Sequence, residues 1–314
     1  MRPMAPAISR QSSWRALLRQ SLRYASAAAT VLITGETGVG KDALARYLHV
    51  SGPRRADPFV TVDCPAMPAT LIEAELFGHE RGAFTDATRA RVGRFELAGQ
   101  GTLYLDAVTS LPLSGQGALL RAIEERTVTR LGSTRSVPVR ARIIASAEPS
   151  IEQRVLDGRF RSELFHRLRV LPIYVPPLRE RPGDILPLAR RFAGDFCRSW
   201  RRRRVKIAPD AEEVLLRYHW PGNARELRHV LERVLLGAHS GTEIRAADLP
   251  RDLLDRIDVC HAAVDAPLPT LEDVERRYLA LTLHRTHGNQ TQAAVILGIS
   301  RKALWEKRKR FDLA

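Results

Sequence analysis

Paired cysteines are missing from this 314-residue chain. Cys64, Cys197 and Cys260 stand singly, with no C-x-x-C between them. That excludes a disulfide framework and a cysteine-based zinc site. Long apolar runs are missing too. The opening MRPMAPAISR lacks the apolar core of a signal peptide, and no stretch approaches bilayer-spanning length. The chain therefore reads as reduced, soluble and cytoplasmic, with no membrane partner. Acidic residues are in deficit, 35 against 50 lysines and arginines, for a formal charge of +15. Such an excess favours a polyanionic partner. No internal repeat is visible, and the length predicts two or three domains.

What is present is most concentrated in Val31–Asp42, which reads VLITGETGVGKD. A short apolar strand runs into Gly35-Glu36-Thr37-Gly38-Val39-Gly40-Lys41, the G-x-x-x-x-G-K spacing of a phosphate-binding loop. Glycines let successive backbone N–H groups turn toward a phosphate. Lys41 adds a point charge, and the helix that begins there offers its positive end. Asp42 stands where a Ser or Thr usually holds Mg²⁺. The flanks suit the motif, with an apolar strand before it and an amphipathic helix (Ala43, Leu44, Tyr47, Leu48) after it.

Composition divides the rest. From about residue 10 to 176, apolar strands alternate with amphipathic segments, as in a parallel sheet covered on both faces. The expected strands are Thr30–Thr34, Phe59–Val62, Gly101–Leu105 and Arg142–Ala145. Pro176-Pro177 ends this pattern, and a helix-rich stretch follows to about Leu254. The arginine run Arg201–Arg204 reads as a solvated loop. A linker around Val259–Pro269 precedes the final unit. The divisions are 8–178 (α/β core), 179–254 (helix-rich), 255–269 (linker) and 270–314 (all-α).

The final unit predicts a helix opening at Thr270-Leu271-Glu272-Asp273, with an apolar stripe of Leu271, Val274, Tyr278, Leu281 and Leu283. After His287-Gly288-Asn289 comes a short helix, Gln290–Leu297. The turn Gly298-Ile299-Ser300 then leads into a basic helix, Arg301–Arg310. That is the layout of a DNA-binding helix-turn-helix, whose second helix enters the major groove by its N-terminal part. Arg301, Lys302, Trp305, Lys307 and Arg308 are the expected DNA-contacting residues, with Lys309 and Arg310 extending the positive surface.

Further motifs make a family visible. Glu75–Ala87 reads ELFGHERGAFTDA and closely resembles the GAFTGA-bearing segment of sigma-54-dependent transcriptional activators, bacterial enhancer-binding proteins of the AAA+ class. Gly93–Leu97, Gly101–Asp106, Phe160–Leu168, Pro177–Arg181 and Trp220–Leu227 follow in the family's order. The final unit resembles the family's Fis-type helix-turn-helix. No N-terminal receiver or ligand-sensing domain is matched.

The resemblance implies an AAA+ P-loop core, a helical lid and a DNA-binding domain, acting as a ring with ATP and Mg²⁺. Gly35, Glu36, Thr37, Gly38, Val39, Gly40, Lys41 and Asp42 would hold the nucleotide, and Arg225 would sense it from the lid. Asp106 would organise Mg²⁺ through its carboxylate. Arg161 and Arg167 match the arginine fingers that reach a neighbouring subunit's site, where a guanidinium spreads charge over phosphate oxygens. Gly82, Ala83, Phe84, Thr85, Asp86 and Ala87 match the loop that touches the sigma factor. The partners implied are double-stranded DNA at upstream sites and sigma-54 RNA polymerase.

Several positions depart from the family. Its Asp-Glu is Asp106-Ala107 here, and a methyl group cannot polarise water. Its Asn near that glutamate is Asp63, its Thr-Asn at the sensor strand is Ala147-Glu148, and the second-last GAFTGA residue is Asp86. Two readings follow. One is an ATP-hydrolysing activator that promotes open-complex formation. The other is a hydrolysis-deficient nucleotide-binding regulator, or ring partner of an intact paralogue. A carboxylate gained at Asp63 or Glu148 could replace the lost one, Asp63 being the better placed by analogy; the competing reading is a decaying site.

Overall fold

The computed structural model describes residues 12–68, 70–85, 87–237, 243–251, 253, 270–286 and 289–311. The linker expected at 255–269, Cys260, Asp86, the His287-Gly288 part of the turn and the segment before residue 12 lie outside the described residues. Two compact units are present, Met1–Pro250 and Arg251–Ala314.

The first unit begins with α1 (Ser12–Ala25), β1 (Val31–Thr34), α2 (Lys41–Val50), β2 (Phe59–Asp63) and α3 (Ile72–Phe77). Next come β3 (Gly78–His79), β4 (Arg91–Val92), α4 (Arg94–Ala98), β5 (Thr102–Asp106) and α5 (Leu113–Glu125). Then follow β6 (Thr127–Thr129), β7 (Ser136–Pro138), β8 (Arg142–Ala147), α6 (Ile151–Leu156), α7 (Ser162–Leu168) and β9 (Leu171–Tyr174). The helical part holds α8 (Ile185–Ser199), β10 (Lys206–Ile207), α9 (Pro209–Arg217), α10 (Asn223–Gly237) and β11 (Glu243–Ile244).

Five strands form a parallel sheet in the order β2-β5-β8-β1-β9. Side chains alternate across it, so one strand feeds two cores. Leu32 joins a cluster with Leu103, Leu105, Ala145 and Leu119. Its neighbours Val31 and Ile33 join Leu44, Leu48, Tyr104 and Ile144 on the other face. Burial on both faces explains why these strands read as near-continuous apolar runs. All four expected strands are present, displaced by one or two residues at their ends. The fifth, β9, is not among the expected strands, because Pro172 interrupts its apolar pattern. Proline is tolerated there because β9 is an edge strand.

The order of the sheet fixes the chemistry. Strand β8 lies directly between β1, which enters the glycine loop, and β5, which ends in Asp106. Arg201–Arg204 is an exposed, irregular segment, as expected.

The second unit packs helices Leu271–Arg285, Gln290–Leu297 and Arg301–Phe311 around Leu279, Leu283, Ala293, Ala294, Leu304 and Phe311. Here the expected stripe needs correction. Tyr278 and Leu281 are half exposed, at 53% and 50%, whereas Leu279 and Leu283 are buried with Thr282 and Thr286. Positions 279, 282, 283 and 286 follow the i, i+3, i+4, i+7 spacing of one helix face, and 278 and 281 fall off it. The side chains of Leu271 and Val274 lie outside the described residues.

Candidate functional site

The loop after β1 is shaped by the helical part packing directly onto it. A Cβ at Gly38, whose φ is +81°, would lie 2.2 Å from Gly222 O and 3.0 Å from Arg225 Cβ. Only a residue without a side chain admits this approach. Asn223, fully buried with φ +53°, completes the contact. Its Oδ1 accepts from Leu178 N at 2.7 Å, and its Nδ2 donates to Glu36 Oε2 and Thr37 O, both at 3.1 Å. Arg179 grips the same Glu36 bidentately at 2.9 and 2.6 Å. The Arg179 hydrogen bond and charge hold the Glu36 carboxyl below its usual value, against a smaller opposing effect of burial. Arg181, buried beside Asp184, donates to Val39 O at 2.8 Å.

Lys41 opens α2 and donates to Gly35 O and Glu36 O at 2.7 and 2.9 Å. Burial lowers its pKa; the charges of Asp106 and Glu148 oppose that, and Arg225 adds to it. Arg225 is therefore close to the loop, with its side chain exposed. Asp42 is exposed on the first turn of α2.

Asp106 is oriented by two hydroxyls. Tyr104, two residues back on the same face of β5, donates to Oδ1 at 2.9 Å, and Ser146 on β8 donates to it at 2.5 Å. Burial, then the Asp106 charge, raises the Tyr104 pKa, so the phenol stays a donor. Ser146 Oγ also accepts from Ala107 N at 2.8 Å. Ala107 itself is in the left-handed region, φ 51° and ψ 54°.

The two added carboxylates are placed differently. Asp63 ends β2 in register with Asp106 and is exposed. It is three strand spacings from β1, roughly 14 Å. Glu148 follows β8, one spacing from β1, with its Oε1 3.4 Å from Thr37 Oγ1. Asp63 is thus beside the Asp106 end of β5, and Glu148 beside the glycine loop. Sequence reasoning also misses Asn223, Arg179, Tyr104 and Ser146. Tyr104 leaves a signal in its i−2 spacing from Asp106, and Arg179 and Asn223 fall within the family-like segments Pro177–Arg181 and Trp220–Leu227.

Arg161 and Arg167 are exposed on and before α7. Arg161 Nε donates to Leu113 O at 3.2 Å, and Arg167 pairs with Glu124 at 3.0 Å. The segment Gly82–Ala87 connects β3 to β4. Gly82 N donates to Ala87 O and Ala87 N to Phe84 O, at 2.8 and 2.9 Å. The Phe84 ring meets His79 edge-on at 4.9 Å, Ala83 sits against Gly132, and Thr85 is exposed. Arg130 braces the base of this segment by pairing with Glu80 and Glu96.

In the second unit, Asn289 caps Gln290–Leu297 by accepting from Thr291 N and Gln292 N. Gly298 ends that helix at φ +66°, and Ser300 Oγ accepts from Ala303 N to start the next. Arg301, Lys302 and Trp305 are exposed. Lys307 pairs with Glu275, and Arg310 with Glu272 at 2.6 Å. The positive surface is therefore narrower than the sequence suggests, because two of its charges are neutralised by the unit's first helix. Lys309 lies over the Trp305 ring at 5.5 Å.

A parallel sheet with a glycine loop after β1, an acidic residue ending β5 and a helical lid on the loop defines a P-loop protein of the AAA+ type. Similarity to known proteins agrees and goes further. Residues 7–174 match the sigma-54 interaction domain, 179–264 the AAA+ ATPase lid domain, and 270–311 the Fis family of bacterial regulatory proteins. The sigma-54-dependent transcriptional regulator SfnR of Pseudomonas fluorescens is 42% identical over 308 residues, covering 91% of this chain and 83% of SfnR. The regulatory protein AtoC of Escherichia coli is 39% identical, covering 95% of this chain and 66% of AtoC. NtrX of Brucella abortus, solved in complex with ADP and with ATP, aligns with a TM-score of 0.73 at 32% identity. The ADP complex covers 98% of this chain and 70% of NtrX. The chain belongs to the sigma-54-dependent transcriptional regulators. Among the described residues, no helix is long and apolar enough to cross a membrane.

Proposed function

We propose that this chain binds ATP with Mg²⁺ at Gly35–Asp42, binds DNA through residues 270–314 and acts on sigma-54 RNA polymerase through Gly82–Ala87. The observation that carries the nucleotide reading is the contact of Gly38 with Gly222 and Arg225. It joins lid and loop so tightly that a phosphate bound on one is sensed by the other. Lys41 and the start of α2 suit phosphates. Asp106, held by Tyr104 and Ser146, suits Mg²⁺, which needs only one or two carboxylates beside substrate phosphates. ATP, when bound, supplies the phosphoryl transfer that drives remodelling. The chain's own residues orient it, exclude water beneath the lid and offer Arg225 to it. We take 8–178, 179–254, 255–269 and 270–314 as the functional division, with a homo- or hetero-oligomeric ring in which exposed Arg161 and Arg167 reach a neighbour.

Ala107 supports a second reading, in which the chain binds nucleotide but hydrolyses it poorly alone and acts as a ring partner. The deciding experiment measures ATP binding, ATP turnover and open-complex formation with sigma-54 RNA polymerase on one preparation. Absence of nucleotide binding would remove both readings. Binding without turnover or open complexes would leave the second.

A further inference from the structure

At the end of the sheet opposite the glycine loop, a cavity of about 140 Å³ is lined by Ala25, Ser26, His49, Arg54, Thr102 and Arg142, among others. Its polar groups come from the starts of the strands whose far ends form the nucleotide site. Thr102 begins β5 and Arg142 begins β8. His49 is on the last turn of α2, whose first residue is Lys41.

Its charge is unbalanced. Arg142 is 4% exposed. Its Nη1 and Nη2 donate to Ala25 O and Tyr24 O at 2.8 and 2.5 Å, at the C-terminal end of α1. Its Nε is buried and has no hydrogen-bond partner. Arg54 donates through Nη1 to Gln100 O, Gly101 O and Arg140 O at 2.8, 3.0 and 2.7 Å. Every acceptor of these two guanidinium groups is a carbonyl, and none is a carboxylate among the described residues. Carbonyl dipoles and a helix C-terminus offset part of a cation's desolvation, but they carry no net charge. Burial, with Arg54 nearby, pulls Arg142 down to about 10. The neighbouring His49 shares a hydrogen bond of 2.9 Å with Thr102 Oγ1. Its pKa is lowered by burial, then raised by the Asp57 backbone and charge, and lowered again by Arg142 and Arg46.

We propose that this cavity is a binding site for a free tetrahedral oxyanion, phosphate or sulfate. The Arg54 guanidinium at the rim meets the anion, the buried Arg142 guanidinium behind it supplies the second positive charge, and Thr102 and His49, bonded to each other, line the wall. The volume is below the ~300–1,000 Å³ of sites that enclose drug-sized molecules, so a lone oxyanion suits it better than a nucleotide. A buried cation without a counterion is the costly state, and a bound dianion removes that cost. The site is distinct from the phosphate loop, being joined to it by α2, which is about 15 Å long.

The test is equilibrium dialysis of the full chain against radiolabelled inorganic phosphate in 0.15 M sodium chloride, with and without saturating ADP. One equivalent of phosphate that ADP does not displace is expected. Sulfate should compete for it, and AMP should not. Arg54→Gln should weaken it at least tenfold and Arg54→Lys less. Arg142→Gln should abolish it. Should Arg142→Gln fail to fold, Arg54→Gln decides, because Arg54 is at the partly exposed rim. No saturable binding, complete displacement by ADP, displacement by AMP, or equal binding in folded Arg54→Gln would each overturn the proposal.

Discussion

Asn223 of the lid donates to Glu36 of the glycine loop at 3.1 Å while accepting from Leu178 N at 2.7 Å. One buried amide thus joins three segments distant in sequence. Replacing it leaves a buried N–H unsatisfied and places another residue at φ +53°. Asn223→Ala should lower unfolding stability by about 2–4 kcal/mol and weaken ATP binding. Asn223→Gly should recover the backbone part alone. Urea melts of the three proteins check this. Equal stability of the alanine and wild-type chains would deny the amide its joining role.

Removing the charge at Lys41 should weaken ATP and ADP binding at least tenfold, the loss expected of a charge-assisted contact worth about 1.5–3 kcal/mol. Calorimetric titration of Lys41→Ala reads it. Unchanged affinity would displace the nucleotide from this loop.

The Glu36–Arg179 pair makes stability depend on pH. Glu36 has its folded pKa depressed, by Arg179 first. Its contribution is therefore full above the ordinary glutamate value of about 4.3 and fades as pH falls through the lower folded value. Both side chains are partly exposed, so the effect should stay within about 1 kcal/mol. Wild type should exceed Glu36→Gln in stability at pH 7, and the gap should close at acid pH. A gap that widened on acidification would mean that the pair raises the Glu36 pKa instead.

On DNA, Arg301→Ala or Lys302→Ala should alter sequence preference, since both lie at the entering end of the helix. Arg310→Ala should matter least, because Glu272 already neutralises that guanidinium. Removing a side chain that neutralises one phosphate should reduce the salt slope of binding by roughly one. Anisotropy titrations across a salt series separate the two effects. A larger loss at Arg310 than at Arg301 would mean that another face meets DNA.

The carboxylates gained beside the loop can be ranked by turnover. Glu148→Gln should change ATP turnover and ATP affinity more than Asp63→Asn, since β8 adjoins β1 and β2 is the sheet's far edge. If neither substitution moves turnover, the site draws on neither carboxylate.

Much of this fold is legible in sequence. The glycine loop, four strands and the three terminal helices announce themselves through local periodicity and turn chemistry. Strand β9 does not, because Pro172 is acceptable only once the strand is known to be at an edge. The buried face of Leu271–Arg285 is hard to assign because its apolar residues exceed what one face can bury. The order β2-β5-β8-β1-β9 is a long-range property, so the nearness of Glu148, and the remoteness of Asp63, has no local sign. Asn223 is hidden for the same reason, its main partners being more than 40 residues away.

Ala107 leaves one more consequence. A left-handed turn at a residue with a Cβ stores about 1–2 kcal/mol, and Ser146 Oγ holds its amide there. The strain arises at Cβ, so it is nearly indifferent to what the side chain carries farther out. Glycine at 107 would relax the bend, whereas a longer acidic chain would be presented by the same bend at no added backbone cost. The polypeptide keeps an armed hinge with only a methyl group mounted on it, and re-equipping it requires one residue rather than a new backbone.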